Sequence, residues 1–138
     1  MARYTVDANV VVNRLLPRGA LAAQAFFDDL SALDELYAAQ VLLPECTSVL
    51  HVQVFEGRVT RDEGQLLLAT MLQIPFSLVD SSQQFARAFE LADRFQHRKG
   101  YDLQYVAVAE MTRSTLVTGD RGSIHAAREI GVQVRIIR

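Results

Sequence analysis

Tyr4-Thr-Val-Asp-Ala-Asn-Val-Val-Val12 is the stretch on which the fold turns. Arg3–Val6 is a short run of alternating β-formers that stops at Asp7. From Asn9 to Leu16 apolar residues return at helical spacing until Pro17 and Gly19 interrupt them. A strand that ends in an acid and passes straight into a helix opens an α/β chain, and the alternation continues outward from there. Ala20–Leu30 reads as a second helix with Phe26, Phe27 and Leu30 on a core face, and Glu35–Ala38 as a strand. The run from Glu45 to about Phe55 reads as a helix, with Pro44 at its first turn and Gly57 as its stop. Thr60, with Glu63 three residues on, has the form of a capping box for the next helix. Phe76–Val79 reads as a buried strand, and Ser82–Phe95 as a helix with Phe85, Ala88, Phe89, Ala92 and Phe95 on one stripe. Asp102 opens a helix to about Thr112, Thr115–Thr118 is a strand, and Gly119-Asp120 a turn. Ile124–Ile130 is a helix ended by Gly131, and Val132–Ile137 a last strand. Strands alternating with helices predict a three-layer α/β/α fold with a mostly parallel central sheet. In such sheets ligands bind beyond the carboxyl ends of the strands, where Asp7 and Asp120 fall.

The chain has 138 residues, 50% apolar and 22% charged, the balance of one compact domain spanning 1–138. Its apolar runs are shorter than the roughly 20 residues needed to cross a bilayer, and its opening lacks the pattern of a signal peptide. A single cysteine, Cys46, leaves no intramolecular disulfide. A cytoplasmic protein without membrane contact is therefore expected. A net charge of −2 speaks against a broad basic face that would grip nucleic acid by counterion release. A metal ion in an acidic pocket can supply that positive charge locally.

Asp7 and Asp120 end strands, while Glu45 and Asp102 open helices after Pro44 and Gly100. Either helix-opening acid alone has a bland reading as a cap favoured by the macrodipole, a contribution of roughly 0.3–1 kcal/mol. The conjunction does not. Two like unit charges about 4 Å apart repel by about 4 kcal/mol at an effective dielectric near 20, so a fold gains nothing by gathering four acids on one edge. A hard divalent cation among them removes the objection, and acid-rich, histidine-poor ligation points to Mg²⁺, with Mn²⁺ possible, and away from zinc.

These residues also carry a family resemblance over essentially the whole chain. Tyr4-Thr-Val-Asp-Ala-Asn-Val-Val-Val resembles the first motif of PIN domains, and Leu43-Pro-Glu-Cys-Thr-Ser-Val-Leu the second. Tyr101-Asp-Leu-Gln-Tyr-Val-Ala-Val-Ala-Glu is similar to the third, and Leu116-Val-Thr-Gly-Asp-Arg to the fourth. Within PIN domains the chain looks like the VapC-like toxin ribonucleases of toxin–antitoxin pairs. The resemblance implies a PIN-like fold and an Mg²⁺-dependent endoribonuclease that cuts RNA phosphodiesters in line with an activated water. Asp7 and Asp102 would be the principal metal ligands. Glu45 and Asp120 would bind a second ion, hold waters or accept the proton, roles the sequence does not separate. Asn9 and Thr118 would orient carboxylates or waters. The resemblance also implies a cognate antitoxin protein over the acidic groove, and a homodimer built on the early helices around Phe26–Leu30.

Phe95-Gln-His-Arg-Lys-Gly, just before Asp102, is the one basic cluster. It offers Arg94, His97, Arg98 and Lys99 to RNA phosphates, or else is a solvated loop; Arg14, Arg18 and Arg121 also lie near motif acids in sequence. Cys46 and His51, five residues apart on one helix, do not face each other as a thiol nucleophile and its base, and Cys46 reads as a core residue. A haloacid-dehalogenase-like phosphatase is the enzymatic rival, but it wants an acid where Asn9 stands and another soon after Asp120, where Arg121, Gly122 and Ser123 follow. A receiver-like binding domain could use Asp80, yet the lysine expected near the last strand is absent. A PIN-like domain kept only for binding is the remaining alternative.

Overall fold

Short runs rich in β-branched and aromatic residues, separated by helix-length segments, set the architecture in the computed structural model, which describes residues 1–98 and 100–138. In chain order the described residues form β1 (Arg3–Val6), α1 (Ala8–Leu15), α2 (Leu21–Asp28), β2 (Glu35–Ala39), α3 (Leu42–Phe55), α4 (Arg61–Leu72), β3 (Phe76–Val79), α5 (Ser82–Arg94), α6 (Tyr101–Thr112), β4 (Thr115–Thr118), α7 (Arg121–Glu129) and β5 (Val134–Ile136). The five strands make one sheet in the order β3-β2-β1-β4-β5, with every pairing parallel. The fold is the three-layer α/β/α arrangement expected. The chain steps outward from β1 to β2 and β3, then returns across the sheet to β4 and β5. Right-handed crossovers therefore put α1–α4 on one face and α5–α7 on the other. The helices of each group pack on one another accordingly. The direction reverses at the β1–β4 seam, where Thr5 pairs with Leu116 and Val6 with Val117.

The core explains which helices are free to carry function. Leu103, Tyr105, Val106, Ala107, Val108 and Ala109 of α6 are all buried, so this helix is apolar around its circumference and packs against β1, β2, β4, α5 and α7. Phe26 of α2 is buried between Tyr4 and Phe27, edge to face at 5.0 and 5.2 Å. It is core, which takes the first residue of the expected Phe26–Leu30 dimer surface out of reach of a partner.

Several sequence expectations are corrected. β3 is an edge strand with Ser77 and Leu78 exposed, because the sheet ends there; it is not a buried strand. On α5 the buried face is Gln84, Ala88 and Leu91, turned onto α6, where the Gln84 amide donates to Gln104 at 2.9 Å. Phe85 and Phe89 belong to the neighbouring face and stand 49% and 80% exposed. α3 starts at Leu42, so Glu45 is its fourth residue, still within the first turn. α7 starts at Arg121 with Asp120 as its N-cap, ahead of the expected Ile124. Lys99 lies outside the described residues.

The turn after β4 sits against the end of the chain: the Ile137 amide donates to Thr118 O at 3.0 Å, and a Cβ on Gly119 would lie 2.3 Å from Ile137 O. The obstacle is backbone, not a movable side chain. Gly119→Ala is expected to destabilise the protein by about 1–3 kcal/mol through overpacking, read as a lowered thermal midpoint. An unchanged midpoint would mean that the turn and the terminal segment are not in contact.

Candidate functional site

Asp7 takes its place from the register of the seam. Its amide donates to Val117 O at 3.2 Å, closing the β1–β4 ladder just where β1 ends. Its side chain then caps α1, accepting the Val10 amide on Oδ1 at 3.1 Å, while Oδ2 accepts the Thr118 hydroxyl. Only 7% of Asp7 is exposed. Burial pushes its carboxyl up from 3.8 to about 6, the two hydrogen bonds resist, and the charges of Asp102 and Asp120 push it further up.

Thr118 is fully buried and serves two acids at once. Its hydroxyl donates a hydrogen bond to Asp7, and its oxygen accepts one from the Asp120 amide at 3.0 Å. Asp120 then caps α7 through Ser123, whose amide donates at 2.8 Å. Glu45 reaches the same edge from the opposite helix layer and accepts the Tyr105 hydroxyl on Oε1 at 3.2 Å. Burial raises the Glu45 carboxyl, the Tyr105 bond lowers it, and Asp102 and Asp7 raise it further. Burial also raises Asp102, with Asp120 adding to the rise and His97 opposing it.

Asp7 lies within reach of the charges of Asp102 and Asp120, and Glu45 within reach of those of Asp102 and Asp7, at the carboxyl edge beside the switch point in strand order. None of the four forms an ion pair with a described basic side chain. Nor, among the described residues, do three acidic, histidine or cysteine groups close on one point as a ready-made cage. Hard oxygen donors with unmatched charge, loosely spaced, fit a Mg²⁺- or Mn²⁺-like ion that keeps waters and takes phosphate oxygens.

The other sequence candidates distribute unevenly. Arg121 is the exposed first residue of α7, next to Asp120, and Arg98 is exposed on the loop before α6. Arg14 is two turns along α1 from Asp7 and pairs with Asp28 at 3.7 Å, so it is not brought to the acids. Asn9 is exposed and makes no hydrogen bond to any of the four carboxylates among the described residues. The Cys46 thiol is buried, pushed up to about 12, and directed at Ala8 O at 3.7 Å, which suits a core residue and not a nucleophile.

Two residues take part that the motifs did not single out in these roles. Tyr105 follows Asp102 by three residues, one turn along the same helix face, a spacing that could have marked it as the partner of Glu45. His97 was visible only as part of the basic loop. It packs onto the first turn of α7, where a Cβ on Gly122 would lie 2.7 Å from its Cε1, so the small residue at 122 is what admits the ring.

The raised carboxyls make stability depend on pH. Between pH 3.8 and about 6 folded Asp7 retains a proton that the unfolded chain has released, so stability falls as pH rises through this window. Above it the fold bears a penalty of about 3 kcal/mol from this residue. In chelator, Asp7→Asn should gain little over wild type near pH 4 and most above pH 6.5, in thermal scans across that range. Asp102→Asn should stabilise in the same direction. Clear destabilisation of both at pH 7.5 would contradict a crowded, unneutralised site.

The described residues contain no helix long and apolar enough to cross a membrane. No curated protein matches the sequence. Among solved structures the chain is similar to FitAcB from Neisseria gonorrhoeae (20% identity, TM-score 0.71, 95% of each chain covered). It is also similar to VapBC2 from Rickettsia felis, bound to a DNA fragment from its promoter (15% identity, TM-score 0.71, 99% of each chain), and to PAE2754 from Pyrobaculum aerophilum (21% identity, TM-score 0.70, 96% of this chain and 89% of that one). At these identities the likeness is one of fold. The sequence profile of the PIN domain matches residues 4–129, and with the four motif acids on one edge of that fold, the chain belongs to the PIN domain family.

Proposed function

We propose that this protein is an Mg²⁺-dependent endoribonuclease that hydrolyses RNA phosphodiester bonds, and that it acts as the toxin of a toxin–antitoxin pair. The observation that carries the reading is the convergence of Asp7, Glu45, Asp102 and Asp120 without an ion pair to a described basic side chain, one of them desolvated enough to hold its proton to about pH 6. Such a site lowers stability in isolation and is relieved by a divalent ion with bound phosphate.

A bound Mg²⁺ or Mn²⁺ would neutralise the acids, polarise the scissile phosphate and make a water more acidic. Asp7 and Asp102 would be the principal residues to hold such an ion. Asp7 is fixed in orientation by its hydrogen bonds from Val10 and Thr118. Asp120, held by the Ser123 amide, would share in this or hold a water. Glu45 keeps one oxygen on Tyr105 and its other oxygen accepts the proton of the attacking water, a role that suits a carboxyl whose affinity for protons is raised. Arg121 and Arg98 steer the phosphate backbone.

The toxin assignment rests on the resemblance of the four motifs to VapC-like toxins, supported by the fold shared with VapBC2. A cognate antitoxin covering the acidic edge, a homodimer and a cytoplasmic site of action go with it.

The test is cleavage of a panel of structured and single-stranded RNAs with Mg²⁺, Mn²⁺ or chelator. Cutting should require metal and vanish in Asp7→Asn. Tyr105→Phe should fold normally and cut about 10- to 100-fold more slowly, the usual effect of losing a group that orients a ligand. Cutting that persists in chelator, or in Asp7→Asn, would overturn the assignment.

A further inference from the structure

Phe85 and Phe89 lie one turn apart on α5 and both face outward, 49% and 80% exposed. Tyr101, the first residue of α6, is 63% exposed. All three line one open cleft of about 710 Å³ between the two helices. Its floor is made of small residues: Ala88, Ala92 and Gly100 all line it, and a Cβ on Gly100 would sit 3.5 Å from that of Ala92. A single exposed ring needs no explanation, but three in one cleft mark a binding surface. The aromatic pairs that stabilise the protein lie elsewhere, at Tyr4–Phe26, Phe26–Phe27 and Phe95–His125.

The cleft borders the acidic edge. Tyr101 precedes Asp102, and His97 lines the cleft while its ring packs on the first turn of α7 beside Asp120. Among the described residues its rim carries Arg98 and His97 against a single acid, Asp93. A ligand with flat aromatic faces joined to a phosphodiester matches rings at one end and a phosphate site at the other. We infer that the α5–α6 cleft is a base-stacking subsite, which holds unpaired nucleobases of single-stranded RNA beside the phosphodiester presented to the acids. This rests on the reading of the acids as a phosphodiester site. Paired bases in a duplex have no free face to offer, so the cleft selects single strands, loops and bulges.

The experiment uses a short single-stranded RNA carrying 2-aminopurine, with the full-length protein in chelator so that binding is read without cleavage. Stacking should quench the fluorophore. Phe89→Ala and Tyr101→Ala should each weaken binding about 5- to 150-fold and restore fluorescence, while Phe89→Trp keeps both. The same RNA as a duplex should bind no better to wild type than to Phe89→Ala. Unchanged binding and quenching in both alanine variants would overturn the inference, even if Mg²⁺-dependent cleavage were intact. So would a wild-type dimer, in sedimentation, that Phe89→Ala dissolves, since a second copy would then own the cleft. Quenching that depends on Phe89 without any cleavage on adding Mg²⁺ would support the cleft and count against the nuclease alone.

Discussion

The hydroxyl of Thr118 donates a hydrogen bond to Asp7 across the β1–β4 seam, and the rest of the site is arranged around that bond. One buried oxygen satisfies the acid at the end of β1 and, by accepting the Asp120 amide, sets the turn that starts α7. The seam exists only because the chain reverses direction after β3, so that two strands more than a hundred residues apart in sequence become neighbours. Burying Asp7 is unfavourable, and its hydrogen bonds recover only part of the loss, which is why its carboxyl stays well above the ordinary value.

The energy that tolerates this comes from the core beneath it. α6 packs against three strands and two helices, and its first turn carries Asp102 and, one turn on, Tyr105. A helix held by so many neighbours cannot shift its end by much, so the acid and the phenol that steadies Glu45 inherit the precision of the packing. Stability is thus supplied where function is absent and withdrawn where the acids meet. The same end of α6 exposes Tyr101, which places an apolar wall next to a charged edge.

The charge distribution follows the same logic. A chain with net charge −2 has no general attraction for a polyanion. Any nucleic acid it binds must be held by local features: a cation among the carboxylates, a few arginines at the edge, and contacts that do not depend on charge. This favours recognition of particular conformations of a strand over tight binding to any backbone.

Much of this was legible in the sequence because it is local. The strand–acid–helix pattern at Tyr4–Val12, the capping signal at Thr60 and the alternation of elements report nearest-neighbour physics, and they gave the α/β class and nearly every element. The four acids were visible as residues at strand ends and helix starts. What the sequence could not contain is who faces whom. Phe85 and Phe89 have the spacing of a core stripe, yet α5 turns Gln84, Ala88 and Leu91 inward, because the buried face is chosen by the fit against α6 and by the Gln84–Gln104 bond. Arg14 sits near Asp7 in sequence, but two turns of helix carry it away to Asp28. Tyr105 on Glu45, His97 over Gly122 and Thr118 on Asp7 join segments distant along the chain. Composition and periodicity determined the elements and the chemical types at their ends. Only the folded packing decided which side chains share a site, since that depends on strand order and helix rotation, quantities set by the whole core at once.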